Sequence, residues 1–125
     1  MAFSAKKRIL CVDDSEDDRD LFGTILRQEG YEVELAHSFI SSVQLIGKTI
    51  FELYLFGISL RNGTGLELLK RVRAIDATVP VIICSSDARG STRQQAIQFG
   101  AQAFFIKPID LDLLIEIIAQ LTYRS

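Results

Sequence analysis

Two adjacent carboxylates, Asp13 and Asp14, follow a short apolar run near the N-terminus and could take part in chemistry. Hard cations such as Mg²⁺ take oxygen ligands and are often held by one or two carboxylates together with phosphate oxygens. A backbone carbonyl near Ser59 could supply a further oxygen. Because such a pair is also typical of a helix cap or a strand-end turn, its meaning depends on which side chains the fold brings beside it.

Ser85 and Lys107 each end a later strand-like run. A lysine ammonium is a point charge able to meet a phosphoryl oxygen, and a serine hydroxyl can bond another. Alone, Lys107 is most simply a surface lysine. Together with Asp13 and Asp14, these groups would suit a phosphoryl group and a cation, provided that one edge of the fold gathers them.

Five apolar runs alternate with five helical patterns along the chain. The first run, Arg8–Val12, is apolar over nearly its whole length, which is typical of a strand buried on both faces. Strands are predicted at residues 8–12, 31–36, 53–56, 81–84 and 101–106. Helices are predicted from a cap at Ser15 or Asp14 to about 29, from Ser38 to about 47, from Thr64 to about 74, over 92–99, and after Asp110.

Strict alternation of this kind favours a parallel sheet with right-handed crossovers and helices on both faces. We expect a flavodoxin-like doubly wound α/β fold, (βα)5, with strand order 2-1-3-4-5. Ligands bind this fold at the carboxyl ends of the strands, near the switch between strands one and three. That edge would gather Asp13, Asp14, Ser85 and Lys107 beside Gly57, which follows the third strand.

Length, net charge and the distribution of apolar residues restrict which classes of protein this chain can belong to. The 125 residues suit one domain over 1–125, and the net charge of −2 argues against a general nucleic-acid or membrane-surface binder. The chain contains no apolar run of membrane-spanning length and no signal peptide, so we expect a cytoplasmic protein. Cys11 and Cys84 fall in apolar runs and are expected to be reduced.

Four motifs occur in order along the chain: ILCVDDSEDDR, ISLRNGTGLELL, PVIICSS and GAQAFFIKP. With them, the whole chain resembles a receiver domain of the two-component response regulator family. The resemblance implies Mg²⁺ binding by Asp13 and Asp14, phosphoryl contacts from Ser85 and Lys107, and an aromatic switch residue at Phe104.

Gly57 departs from the family pattern, because it matches the aspartate that accepts the phosphoryl group. Glycine has no carboxylate to attack phosphorus, so no catalytic residue remains at this position. It also removes one metal ligand: two carboxylates and Lys107 would give the pocket a charge of about −1, and we expect Mg²⁺ to bind weakly. Arg61, where the family usually has proline, is a second departure.

The leading hypothesis is a degenerate receiver, or pseudo-receiver, which is not an enzyme and signals by protein–protein interaction. One alternative is a receiver phosphorylated on another acceptor, such as Ser59. A second alternative is an engineered Gly57 variant of an ordinary aspartyl-phosphate receiver.

The resemblance also implies the partners. We expect a sensor histidine kinase or a downstream effector, engaged without phosphorylation, and no direct contact with nucleic acid or membrane. The face formed by the fourth helix, fifth strand and fifth helix is the expected surface for a homodimer or partner.

Overall fold

Five parallel strands form the central sheet of the computed structural model, which describes residues 6–123. In chain order the strands are β1 (Arg8–Val12), β2 (Glu32–Ala36), β3 (Leu53–Gly57), β4 (Ser59–Leu60), β5 (Gly63–Thr64), β6 (Val81–Ser85) and β7 (Ala103–Ile106). The sheet has the order β2-β1-β3-β6-β7, while β4 and β5 pair with each other. Without that short pair the order is the predicted 2-1-3-4-5, so the flavodoxin-like fold is confirmed.

The helices are α1 (Glu16–Gln28), α2 (Phe39–Lys48), α3 (Gly65–Ile75), α4 (Gly90–Gln98) and α5 (Leu111–Thr122). Side chains that accept a first-turn backbone N–H cap all of them except α4: Ser15, Ser38, Thr64 and Asp110. Such caps satisfy donors that a helix end leaves unpaired. Within residues 6–123, no helix combines the length and apolarity needed to cross a membrane.

The apolar side chains form two clusters, one on each face of the sheet. Along β3 the side chains alternate: Leu53 and Leu55 join the cluster with α1 and α5, whereas Tyr54 and Phe56 join the cluster with α3. All residues of β3 are buried. Burial on both faces explains why this strand is apolar throughout.

The chain after β3 forms a small antiparallel hairpin, β4–β5, where the sequence predicted a plain loop. Asn62 in its turn has a φ of 62°, a left-handed conformation that asparagine tolerates. The hairpin docks on the segment before α2, because the Arg61 N–H donates to the His37 carbonyl at 3.1 Å and the Phe39 N–H donates to the Arg61 carbonyl at 3.0 Å.

Two boundaries near α4 differ from the predicted ones. The helix begins at Gly90 rather than at residue 92, and β7 begins at Ala103 rather than at residue 101. Gly100 adopts a φ of 102°, and the Ala101 N–H donates back to the Ala96 carbonyl at 2.9 Å. This C-terminal cap uses the residues that an apolar pattern alone assigns to the strand.

Candidate functional site

A cavity of about 460 Å³ opens at the carboxyl ends of β1, β3, β6 and β7. This carboxyl-end cavity is lined by Asp13, Asp14, Ile58, Ser59, Ser85, Ser86, Asp87, Arg89 and Lys107. Parallel strands bring their carboxyl ends to one edge of the sheet. The structure therefore places the predicted site residues Asp13, Asp14, Ser85 and Lys107 around a single opening.

The Lys107 ammonium lies between two carboxylates. Its Nζ donates to Asp13 Oδ2 at 2.8 Å and to Asp18 Oδ2 at 2.6 Å. Burial by itself lowers the pKa of Lys107, but the two carboxylates outweigh burial and raise this pKa above its ordinary value of 10.5. The ammonium therefore stays charged at neutral pH.

Asp18, in the first turn of α1, is a site residue that the sequence analysis did not identify. Its N–H donates to the Ser15 cap at 3.2 Å, so its side chain can reach back over the preceding loop. The spacing Ser-x-x-Asp at a helix start is the signal that could have placed it. With Asp18 included, three carboxylates and one ammonium give a formal charge of about −2, one unit more negative than Asp13, Asp14 and Lys107 alone.

Asp13 is only 2% exposed, and both of its carboxylate oxygens are engaged. Oδ1 accepts from the Ser15 N–H at 3.0 Å, and Oδ2 accepts from Lys107. The Asp13 backbone carbonyl accepts from Arg19 Nη1 at 2.7 Å. Burial raises the pKa of Asp13 above its ordinary value of 3.8 even though the hydrogen bonds from Lys107 and Ser15 oppose this rise.

Gly57 ends β3, between the ends of β1 and β6. A Cβ atom at this position would lie 2.6 Å from Asp13 Oδ2 and 2.9 Å from Asp13 Cγ. Carbon atoms do not approach so closely without displacement. A side chain at residue 57 would therefore require the Asp13 carboxylate to shift.

Gly65 is required by a close approach of backbone to backbone. A Cβ atom at residue 65 would lie 2.0 Å from the Gly57 carbonyl oxygen, and the Gly65 N–H donates to the Ile58 carbonyl at 2.8 Å. The start of α3 is thereby held against the end of β3. Only glycine permits this close approach of the two backbone segments at the base of the site.

Ser85 is buried, and its Oγ accepts from the Asp87 N–H at 2.9 Å. Asp87 in turn accepts from Arg89 Nε and from the Thr92 hydroxyl, each at 2.9 Å. Hydrogen bonds from Arg89 hold the pKa of Asp87 well below its usual range. Hydrogen bonds among its own residues therefore hold the loop between β6 and α4 in place. Neither Asp87 nor Arg89 was predicted as a site residue.

The oxygen atoms of the cavity do not fit a Mg²⁺ ion as they stand. Both oxygens of Asp13 are engaged, Gly57 supplies no side-chain ligand, and Asp14 is exposed. Over residues 6–123, no group of three or more His, Cys, Asp or Glu side chains is placed to hold a metal. Since Mg²⁺ demands near-octahedral oxygen geometry, a cation would first have to displace Lys107 from Asp13.

Phe104 does not line the cavity. It lies on β7, half-buried against the cluster that includes α3, with the Arg93 guanidinium 5.9 Å from its ring centroid. Its role as a switch stays a prediction.

The model of the response regulator receiver domain family matches residues 9–119. Sporulation initiation phosphotransferase F of Bacillus subtilis is 30% identical over 106 residues, which cover 85% of this chain and 86% of that protein. The transcriptional regulatory protein ZraR of Escherichia coli K12 is 31% identical over 106 residues, which cover 85% of this chain but only 24% of ZraR.

Solved structures share the fold as well. A CheY-like response regulator receiver domain protein from Methanospirillum hungatei JF-1 superposes with a TM-score of 0.86. It is 34% identical to this chain, and the match covers 94% of each chain.

Proposed function

The chain belongs to the family of response regulator receiver domains, and we propose that it is a pseudo-receiver, a member that signals without an aspartyl phosphate at the end of β3. Its output would come from contacts with other proteins and not from a phosphorylation cycle at residue 57. We expect no enzymatic activity of its own and a cytoplasmic location.

The observation that carries this proposal is the glycine at the end of β3. Acyl phosphate formation needs a carboxylate oxygen to attack phosphorus, and residue 57 has no side chain. The space that an aspartate would need is taken by Asp13, whose Oδ2 would lie 2.6 Å from a Cβ atom there. Ser59 lines the same cavity, but a serine hydroxyl that no base activates is a poor nucleophile.

The remaining groups of the site support a vestigial role. Ser85 and Lys107 correspond to the residues that contact a phosphoryl group, yet Ser85 accepts from Asp87 and Lys107 is paired with carboxylates. Asp13 and Asp14 correspond to the metal ligands, and we propose that Mg²⁺ binding is weak because the Asp13 oxygens are already engaged.

We propose a sensor histidine kinase or a downstream effector as the partner, with the face of α4, β7 and α5 as the contact surface or homodimer interface. Apolar side chains are exposed on each of these elements: Ile97 by 50%, Ile106 by 41% and Leu113 by 44%. A partner that covers these side chains would remove apolar surface from water, which favours association.

Analytical ultracentrifugation tests the homodimer. Leu113→Lys should shift a dimer to the monomer, whereas Ile40→Lys, on a more exposed position of α2, should leave the oligomeric state unchanged. A wild-type chain that stays monomeric at high concentration would exclude the homodimer and leave only the heterologous partner.

Incubation with a small phosphodonor such as acetyl phosphate and Mg²⁺, followed by intact mass measurement, tests the proposed function. We expect no gain of a phosphoryl group, while a family member with an aspartate at the corresponding position gains one. A stoichiometric gain by this chain would sink the pseudo-receiver proposal. Peptide mapping of the product to Ser59 would then support the alternative acceptor.

A further inference from the structure

Lys107 connects two parts of the carboxyl-end cavity that are distant in sequence, the end of β7 and the first turn of α1. Its Nζ contacts Asp13 Oδ2 and Asp18 Oδ2, which lie on opposite sides of the Ser15 cap. The side chain of Lys107 is 20% exposed and that of Asp18 is 31% exposed. Partial shielding from water makes these ion pairs stronger than ordinary surface pairs.

The position of the Asp13 carboxylate, which binds Lys107, depends on the glycine at residue 57. Asp13 Oδ2, the oxygen that binds Lys107, occupies the space that a Cβ atom at residue 57 would need. A side chain at residue 57 would move that oxygen. The geometry of the Lys107–Asp13 ion pair therefore depends on the absence of a side chain at residue 57.

A divalent cation would compete with the Lys107 ammonium for the same oxygen atoms. Bound to Asp13 and Asp14, it would lie close to the ammonium and be repelled by it. Asp18 strengthens this competition, because it holds Lys107 over the carboxylates from a second side.

We propose that Lys107 is a built-in counter-cation, positioned by Asp18, that neutralises the carboxylates of the cavity and keeps divalent metal ions out. The inference rests on the proposed function and deepens it. The connection between α1 and the end of β7 would be set by a permanent ion pair, so the conformation of this edge would not depend on metal or phosphoryl groups.

Titration of the full chain with Mn²⁺, followed by electron paramagnetic resonance of the free ion, tests the exclusion of metal. Lys107→Gln removes the positive charge and Lys107→Arg keeps it. We expect weak binding by the wild type and by Lys107→Arg, and affinity about tenfold or more higher in Lys107→Gln. Equal Mn²⁺ affinity in the three proteins would overturn the proposal, with circular dichroism confirming that each is folded.

A second pair of variants tests Asp18 without removing the lysine. Asp18→Asn and Asp17→Asn change the same charge in the same turn of α1. The readout is the exchange rate of the Lys107 ammonium protons in ¹⁵N NMR. We expect exchange about tenfold faster in Asp18→Asn only, since a partly buried ion pair protects the protons. Equal rates in the two variants would overturn the positioning role.

The outcomes separate this inference from the proposed function. Tight Mn²⁺ binding by the wild type, without any phosphoryl gain from a phosphodonor, contradicts the built-in counter-cation alone. A phosphoryl gain by the wild type contradicts the pseudo-receiver proposal, whatever its affinity for Mn²⁺.

Discussion

Residue 57 determines where the Asp13 carboxylate can lie. With glycine there, Asp13 Oδ2 turns toward the end of β3 and meets the Lys107 ammonium. Burying a carboxylate without a partner costs free energy. The ion pair with Lys107 offsets part of this cost and so stabilises the Asp13 carboxylate beside Gly57. The absence of a carboxylate at residue 57 and the packing around Asp13 follow from the same missing side chain.

Gly57→Ala should lower the free energy of unfolding by about 1–3 kcal/mol, because the added methyl group overlaps Asp13 in a closely packed site. Urea denaturation measures the change. Gly47→Ala is the matched control: a Cβ atom there meets nothing within 4 Å, and alanine in a helix should raise stability by up to about 1 kcal/mol. Equal effects of the two substitutions would contradict the overlap with Asp13.

Asp13 also predicts a pH dependence. Burial raises its pKa above 3.8 in the folded chain. The folded state therefore holds this proton more tightly than the unfolded state, and the contribution of Asp13 to stability falls as pH rises from its unfolded to its folded pKa. Asp13→Asn removes that fall.

Urea unfolding at pH values from about 4 to 7 measures this effect as the difference between variant and wild type. The stability of Asp13→Asn should increase relative to wild type with rising pH. Parallel curves for Asp13→Asn and wild type would contradict the raised pKa.

At the scale of the elements, hydrogen bonds from Arg73 connect the end of α3 to the loops that precede β6 and β7. Its guanidinium donates to the Gly100 carbonyl at 2.7 Å and to the Val79 carbonyl at 2.8 Å. It also donates to the Gln102 side chain at 2.9 Å. These bonds position the starts of β6 and β7, whose far ends carry Ser85 and Lys107.

Arg73→Met should lower the free energy of unfolding by about 2–4 kcal/mol, because several charged hydrogen bonds are lost at once. Arg71→Met, an exposed position on the same helix, should change it by less than about 0.5 kcal/mol. Thermal unfolding and amide exchange at Gly100 measure the two variants. A small effect of Arg73→Met would mean that the two loops are held by other contacts.

Arg61, the second departure from the family pattern, forms a backbone hydrogen bond that a proline at this position could not form. Its N–H donates to the His37 carbonyl, and a proline at this position has no N–H to donate. The hairpin β4–β5 is thereby bonded to the segment before α2.

At the scale of the whole molecule, the sheet buries its central strands on both faces. Cys11 on β1 and Cys84 on β6 are both buried and free, with β3 between their strands. Burial raises the pKa of both thiols, so neither forms the reactive thiolate at neutral pH. Their reactivity should therefore report unfolding of the whole sheet.

A thiol reagent such as dithionitrobenzoate should react with neither cysteine in the native chain on the timescale of minutes and with both in concentrated urea. In intermediate urea, the reacted fraction should follow the unfolding transition measured by circular dichroism. Rapid reaction of one thiol in the native chain would show that an edge of the sheet opens separately.

The sequence by itself determined the elements and the absence of a side chain at residue 57. Apolar runs and helix caps act locally, so strands such as Arg8–Val12 and caps such as Ser38 and Thr64 follow from neighbouring residues. Alternation of strands and helices was enough to indicate a parallel, doubly wound sheet, because crossover connections have one hand. The lack of a carboxylate at residue 57 is a covalent fact that no folding can change.

Only the tertiary structure decided which partners the site residues take. Lys107 meets Asp13 and Asp18 across 94 and 89 positions of sequence, and Arg73 meets Gly100 across 27. Such contacts depend on side-chain rotamers and on the space left by neighbours, which local pattern does not contain. The Asp13 carboxylate lies beside Lys107, in space that the glycine at residue 57 leaves open. This contact can form only when β1, β3 and β7 lie in one sheet.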